Sequence, residues 1–184
     1  NSSLQFGGVA ADNESLRIKL GITNPSVTRT SLLAIHAVTE ALKDGGWDKS
    51  FIQSSATALI GATTVGGMCH TDELYRDVNA QQIESPFLSS YDCASVTLQM
   101  QEHFGVQGLV NTINTACSSS ANAIMMGARI IRSGQARRVI AGGTDSLSKF
   151  TINGFNTLRI LSHERSKPFD KSRDGLNLGE GACF

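Results

Sequence analysis

Long apolar runs are missing from this sequence: none approaches the roughly 18 residues that a membrane-spanning helix needs, and no signal peptide is recognisable. Net charge is missing too. Sixteen basic and sixteen acidic residues cancel without a basic block, which sets aside nucleic acid and anionic membranes as main partners. Cysteine is sparse, and Cys69, Cys93, Cys117 and Cys183 form no CxxC pair, which argues against a zinc site or a redox couple. A soluble protein in a reducing cytoplasm is the expectation. Three prolines against 18 glycines suit an α/β protein with many tight junctions between strands and helices. At 184 residues the chain is long enough for one good core or a large part of a bigger one. Both ends read as cut, since Leu178 to Phe184 leads through glycines into an apolar strand that stops almost as it begins.

Residues 1–27 read as an irregular or weakly helical segment broken at Gly7-Gly8 and Asn24-Pro25, and residues 28–184 as the main domain. Leu32, Ile35, Val38 and Leu42 recur at helical spacing from Thr28 to Lys43, closed by Gly45-Gly46. Ala56 to Thr63 reads as a buried strand. It runs into Thr64-Val65-Gly66-Gly67-Met68, a glycine turn that suits tight packing better than phosphate binding, because no P-loop lysine follows. Thr71 to Gln82 is polar and helical, broken by Ser85-Pro86-Phe87. A further helix spans Cys93 to Phe104, with Asp92 as N-cap and Gly105 as stop. Arg138 to Ala141 is a short strand, and Gly142-Gly143-Thr144-Asp145 turns away from its end, with Asp145 better suited to a turn or cap than to catalysis. Ile152, Phe155, Leu158 and Ile160 make an apolar patch, and Lys167 to Gly175 is a loop of alternating charge.

The stretch Asn114 to Ser120 organises the rest. Leu109 to Ile113 reads as a buried strand, and Ala121, Ile124, Met125, Ala128 and Ile131 continue at helical spacing, so Cys117 sits where a strand turns into a helix. The positive end of the helix favours a thiolate there. A structural cysteine is the plain alternative, since cysteine is often buried. Small neighbours on both sides favour the nucleophile, because they let a substrate approach the sulfur, and the N–H of Cys117 is placed to meet an oxyanion. A base is harder to find. His36 and His103 lie in helices and His70 and His163 in loops, so a cysteine hydrolase built from Cys117 and His163 is a weak rival, and the partners of the cysteine are expected outside this chain.

Thr115-Ala116-Cys117-Ser118-Ser119, Ala141-Gly142-Gly143-Thr144-Asp145, Gly154-Phe155, Lys167-Pro168-Phe169-Asp170 with Arg173-Asp174-Gly175, and Gly179-Glu180-Gly181-Ala182 come in the order and near the spacing of the β-ketoacyl-acyl carrier protein synthases. Over residues 28–184 the chain most closely resembles the KAS I/II type. The resemblance implies an α/β thiolase-like fold, layered α-β-α-β-α in a full protein, of which this chain is most of the N-terminal half. It implies a decarboxylating Claisen condensation, with Cys117 as nucleophile and backbone oxyanion donor. It also implies that two histidines, a lysine and a second oxyanion donor come from the C-terminal half, so that this segment alone is inactive. Val65 and Phe155 resemble lining of the acyl pocket. Phe87 and Leu88 resemble a loop that reaches across a dimer, the strand before Cys117 resembles one that pairs across a twofold, and Arg159 matches a carrier-docking position. Gln81 and Gln82 depart from a pattern that is basic in typical elongation enzymes, which leaves room for aryl-polyene or polyketide synthesis. No cofactor is implied, because substrates ride on the phosphopantetheine of acyl carrier protein, and the partner subunit is an identical or related synthase. The rivals are a chain-length-factor-like partner, which Cys117 argues against, and a thiolase-type acyltransferase, which Pro168-Phe169-Asp170 and Gly179-Glu180-Gly181 argue against.

Overall fold

In the computed structural model, which describes residues 4–80 and 84–184, the elements run β1 Phe6–Gly7, α1 Asn13–Leu20, α2 Arg29–Asp44, α3 Lys49–Ile52 and β2 Thr57–Ala62. A 3-10 turn at Met68–His70 leads into α4 Thr71–Asn79, α5 Leu88–Tyr91, α6 Cys93–Phe104, β3 Val110–Ile113 and α7 Ser119–Arg132. The chain ends with β4 Arg138–Ala141, β5 Gly143–Asp145, α8 Lys149–Thr157, β6 Leu178–Gly179 and β7 Gly181–Cys183.

Three parallel strands in the order β3-β2-β4 make the central sheet, with Leu59 opposite Val110 and Thr57 opposite Arg138. All six residues of β2 are buried, as a central strand covered on both faces requires. Its side chains alternate between two cores. Leu59 packs with Ala34, Ile35 and Val38 of α2 and with Val96 and Met100 of α6. Ala58, Ile60 and Ala62 face Ala123 and Ile130 of α7. The result is helix, sheet, helix, with the chain passing from β3 through α7 to β4 on the far side of β2. Short pairs complete the chain: β5 runs antiparallel to β7, and β1 parallel to β6.

Local signals place most of these elements. Thr28 accepts from the Ser31 N–H to cap α2, Asp92 accepts from the Ala94 N–H to cap α6, and Gly105 closes α6 at φ 69°. The N-terminal segment is more ordered than its composition implies. Asp12 caps α1 by accepting from the Ser15 N–H, and Leu16 is buried with Val27, Leu32 and Leu33. One buried leucine and a good cap are enough to fix a helix whose other residues are mostly polar. The predicted helix from Thr71 ends at Asn79, and Gln81 and Gln82 lie outside the described residues. Among the described residues no helix is long and apolar enough to cross a membrane.

Candidate active site

The nucleophile candidate sits on a turn that three elements hold in place. β3 ends at Ile113, α7 begins at Ser119, and Ala116 between them adopts φ 54°. A left-handed alanine costs about 1 kcal/mol, so the conformation persists only where its surroundings impose it. From the helix side, Ser119 does this: its hydroxyl donates to the Ala116 carbonyl at 2.6 Å and accepts from the Thr115 N–H at 2.9 Å. The Ser119 N–H also donates to that carbonyl, at 3.1 Å. Asn122, one turn into α7, donates to the Thr115 hydroxyl at 2.7 Å. From the β2 side, the Thr64 hydroxyl donates to the same Ala116 carbonyl at 3.2 Å. Cys117 follows directly, exposed, two residues ahead of α7.

The turn after β2 is itself anchored from a distance. A single oxygen of Asp145, in β5, accepts from the Thr63 hydroxyl at 2.9 Å and from the backbone N–H groups of Thr64 at 2.8 Å and Val65 at 2.9 Å. Asp145 is therefore a cap. Gly66 and Gly67 let this turn lie against the α5–α6 junction: a Cβ on Gly67 would fall 1.4 Å from the Ser90 carbonyl oxygen. The glycines thus serve tight packing.

A second cysteine lies close to the same turns. Cys93 opens α6, and its sulfur accepts from the Asn114 side-chain amide at 3.2 Å, while the carbonyl of that amide accepts from the Ala116 N–H at 3.4 Å. Asn114 thus ties the α6 N-terminus to the Cys117 turn.

The other residues singled out by sequence are placed as follows. Val65 is a buried member of the Asp145-capped turn. Phe87 stacks on His70 with ring centroids 4.7 Å apart, whereas the adjacent Leu88 is 65% exposed. Phe155 is half-buried on α8, a helix that packs on the 3-10 turn carrying His70. Arg159 lies exposed just past α8, with φ 56°. Val65, Phe87 and Phe155 thus lie on segments gathered around the 65–70 turn. His36 is on α2, where its ring lies 3.5 Å from Glu40, and His103 ends α6, with burial lowering its pKa. Neither belongs to the Cys117 turn. In the charged loop, Lys167 pairs with Glu164 at 2.8 Å, and Asp170 caps its own turn by accepting from the Ser172 N–H.

Thr64, Asn114, Ser119 and Asn122 are the residues whose roles a linear reading passes over. Ser119 and Asn122 carry a readable signal, small polar side chains at the mouth of a helix. Thr64 carries none, because its partner is 52 positions away, and the bond of Asn114 to Cys93, 21 positions away, is equally unannounced.

Comparison with known proteins gives a consistent picture. Residues 5–184 match the profile described as "Beta-ketoacyl synthase, N-terminal domain". Among curated relatives, the tetracenomycin polyketide synthase ketoacyl synthase alpha subunit of Streptomyces glaucescens is 29% identical over 175 residues, which is 84% of this chain and 40% of the relative. The 3-oxoacyl-[acyl-carrier-protein] synthase 2 of Rhizobium meliloti is 31% identical over 161 residues, 81% of this chain and 38% of the relative. Among solved structures, a ketosynthase in complex with its chain length factor from Xenorhabdus doucetiae superposes with a TM-score of 0.80 at 26% identity, covering 97% of this chain and 45% of that one. A β-ketoacyl synthase from Burkholderia phymatum gives a TM-score of 0.78 at 24% identity, over 85% of this chain and 41% of that one, and supports the fold alone. The chain spans about 40% of the length of the curated relatives it matches. With a thiolase-like α/β fold and a family profile that takes in all but its first four residues, the chain belongs to the β-ketoacyl synthase family, as an N-terminal domain.

Proposed function

We propose that the whole protein is a 3-oxoacyl-[acyl-carrier-protein] synthase whose nucleophile is Cys117. The observation that carries this reading is an exposed cysteine, within a β-ketoacyl synthase domain, on a strand-to-helix turn pinned by hydrogen bonds from two sides. The Cys117 sulfur attacks the carbonyl of an acyl thioester held on the phosphopantetheine of acyl carrier protein. The oxyanion that forms takes a hydrogen bond from the Cys117 N–H, and its collapse breaks the carbon–sulfur bond to the carrier, whose thiol leaves with the proton that Cys117 gave up. Malonyl-carrier then loses CO2, and the electron pair left on carbon attacks the acyl carbon, forming the new carbon–carbon bond and releasing Cys117. The reading calls on no bound cofactor.

Val65, Phe87, Leu88 and Phe155 are the proposed contacts for the acyl chain, and Arg159 the proposed docking point for an acidic carrier. The exposure of Arg159 fits that role. For a dimer, identical or with a related synthase subunit, the support is that β3 stands at the edge of its sheet. A reducing cytoplasm fits the four cysteines, all free.

The test is the intact and peptide mass of the full-length protein after incubation with acyl-acyl carrier proteins of several chain lengths. An adduct confined to Cys117, and lost in Cys117→Ala without unfolding, is the expected result. An adduct on Cys93, or none on a folded protein at any chain length, would overturn the assignment.

A further inference from the structure

The Cys117 turn is held from its own helix by Ser119, yet it is also held from β2, by a side chain that no local rule requires. Thr64 is exposed beside Cys117, and its hydroxyl reaches across to the Ala116 carbonyl at 3.2 Å. Threonine at this point is oriented by its own backbone: its N–H is fixed on Asp145 Oδ1 at 2.8 Å, and the flanking Thr63 hydroxyl and Val65 N–H end on the same oxygen. The Thr63 hydroxyl also accepts from the Gly66 N–H at 2.9 Å, which closes the turn. A chain of hydrogen bonds therefore runs from β5 through the β2 turn to Ala116, the left-handed residue that leads into Cys117.

We propose that Thr64, oriented by Asp145, is a positioning residue for the nucleophile: its grip on the Ala116 carbonyl fixes the peptide that leads into Cys117, so that the sulfur and the Cys117 N–H present themselves together to a thioester. The inference rests on the reading of Cys117 as an acyl acceptor. Attack and oxyanion binding need two atoms of one residue at fixed relative positions, and without the Thr64 hydroxyl the Ala116 carbonyl is held only from its own helix, by Ser119. Misplacement of reacting groups by about an ångström costs up to about a hundredfold in rate. Because Ser119 remains as a second tether, loss of the Thr64 hydroxyl is expected to cost less, about tenfold.

Thr64→Val keeps the shape and removes the hydroxyl. In the full-length protein it is expected to lower kcat for acylation by acyl-acyl carrier protein about tenfold, with KM and the unfolding midpoint unchanged, and Thr64→Ser is expected to restore the rate. Asp145→Ala is expected to lower kcat as well, and the double variant to lose less than the product of the two single losses, since part of the Asp145 effect acts through Thr64. Asp145→Asn keeps an acceptor oxygen and should load near the wild-type rate. Wild-type loading kinetics in Thr64→Val, or losses that multiply in the double variant, would overturn the proposal. If the wild-type protein loads no acyl group, the functional reading fails, and hydrogen exchange over residues 114–118 still decides on the tether: faster in Thr64→Val and restored in Thr64→Ser if it holds, unchanged in both if it does not.

Discussion

Arg29, at the start of α2, and Glu180, between β6 and β7, meet as a two-pronged ion pair although 151 positions separate them, with the Arg29 Nε–H donating to Glu180 Oε2 at 2.8 Å and its terminal NH2 to Oε1. The Glu180 side chain is only 5% exposed. Its remaining acceptor capacity takes the N–H groups of Val9 at 3.0 Å and Leu147 at 3.2 Å, and Arg29 reaches the carbonyls of Val9 and Ala11. One carboxylate thus joins the N-terminal segment, α2, the approach to α8 and the last strands.

Removing one partner of such a pair leaves the other buried and unmatched. Glu180→Ala is therefore expected to lower stability by about 3 kcal/mol, read as a shift in the urea midpoint of the full-length protein. The pH dependence follows from the hydrogen bonds of Arg29, which hold the Glu180 carboxyl below its ordinary range. Since the folded value lies below the unfolded one, the contribution of the pair is fully present above the unfolded carboxylate range and is lost as pH falls through the folded value. The midpoint of the wild type should drop over that acid window, and Glu180→Gln, which cannot titrate, should show a smaller drop. Parallel profiles for the two would contradict the assignment of this pair as an acid-sensitive tie.

Two glycines give opposite expectations. Gly67→Ala drives a Cβ into the Ser90 carbonyl, a backbone atom that cannot rotate away, and is expected to cost more than about 3 kcal/mol. Gly154, inside α8, has nothing within 4 Å of an added Cβ, so Gly154→Ala is expected to stabilise the protein by about 0.5–1 kcal/mol. Thermal midpoints of the two variants check both, and a destabilising Gly154→Ala would mean that α8 packs against something further.

Legibility followed the range of the interactions. The bounds of α6 and β4 are those predicted, because Asp92, Gly105 and the β-branched run of β4 act within a few residues. The strand-turn-helix around Cys117 was legible for the same reason, but not its burial: β3 is half-exposed at the sheet edge rather than buried, and Ile124, Met125 and Ile131 lie on the exposed face of α7, opposite the buried Ala123 and Ile130. What the sequence concealed is long-range: Asp145 is 82 positions from Thr63, and nothing near either residue announces the bond. The order of the sheet was hidden as well, since a strand, a helix and a strand are compatible with β3 and β4 as neighbours, and only the double-sided burial of β2 places it between them. Motif order supplied the family, which local patterning alone did not.

The cysteines are expected to differ in reactivity. Burial pushes the Cys69 thiol up, so little thiolate forms there at neutral pH, whereas Cys117 and Cys183 are exposed. Under limiting iodoacetamide, in which sulfur displaces iodide, peptide mass should show Cys69 modified last among these three in the folded full-length protein, catching up only in denaturant. Early labelling of Cys69 would mean that its surroundings open readily.

The helix α1 supplies the sharpest test of how far the core extends. Leu16 is 1% exposed against Val27, Leu32 and Leu33, while Ile18, two residues on, is 74% exposed. The two side chains are similar in size, so the difference between their truncations measures burial. Leu16→Ala leaves a cavity between α1 and α2 and is expected to cost about 2–4 kcal/mol. Ile18→Ala loses little contact and improves helix propensity, so it should stay within about 0.5 kcal/mol of wild type. Urea midpoints on the full-length protein decide. Equal effects would mean that residues 13–20 ride on the surface, whereas a large gap places the N-terminal segment in the same cooperative unit as the sheet that carries Cys117.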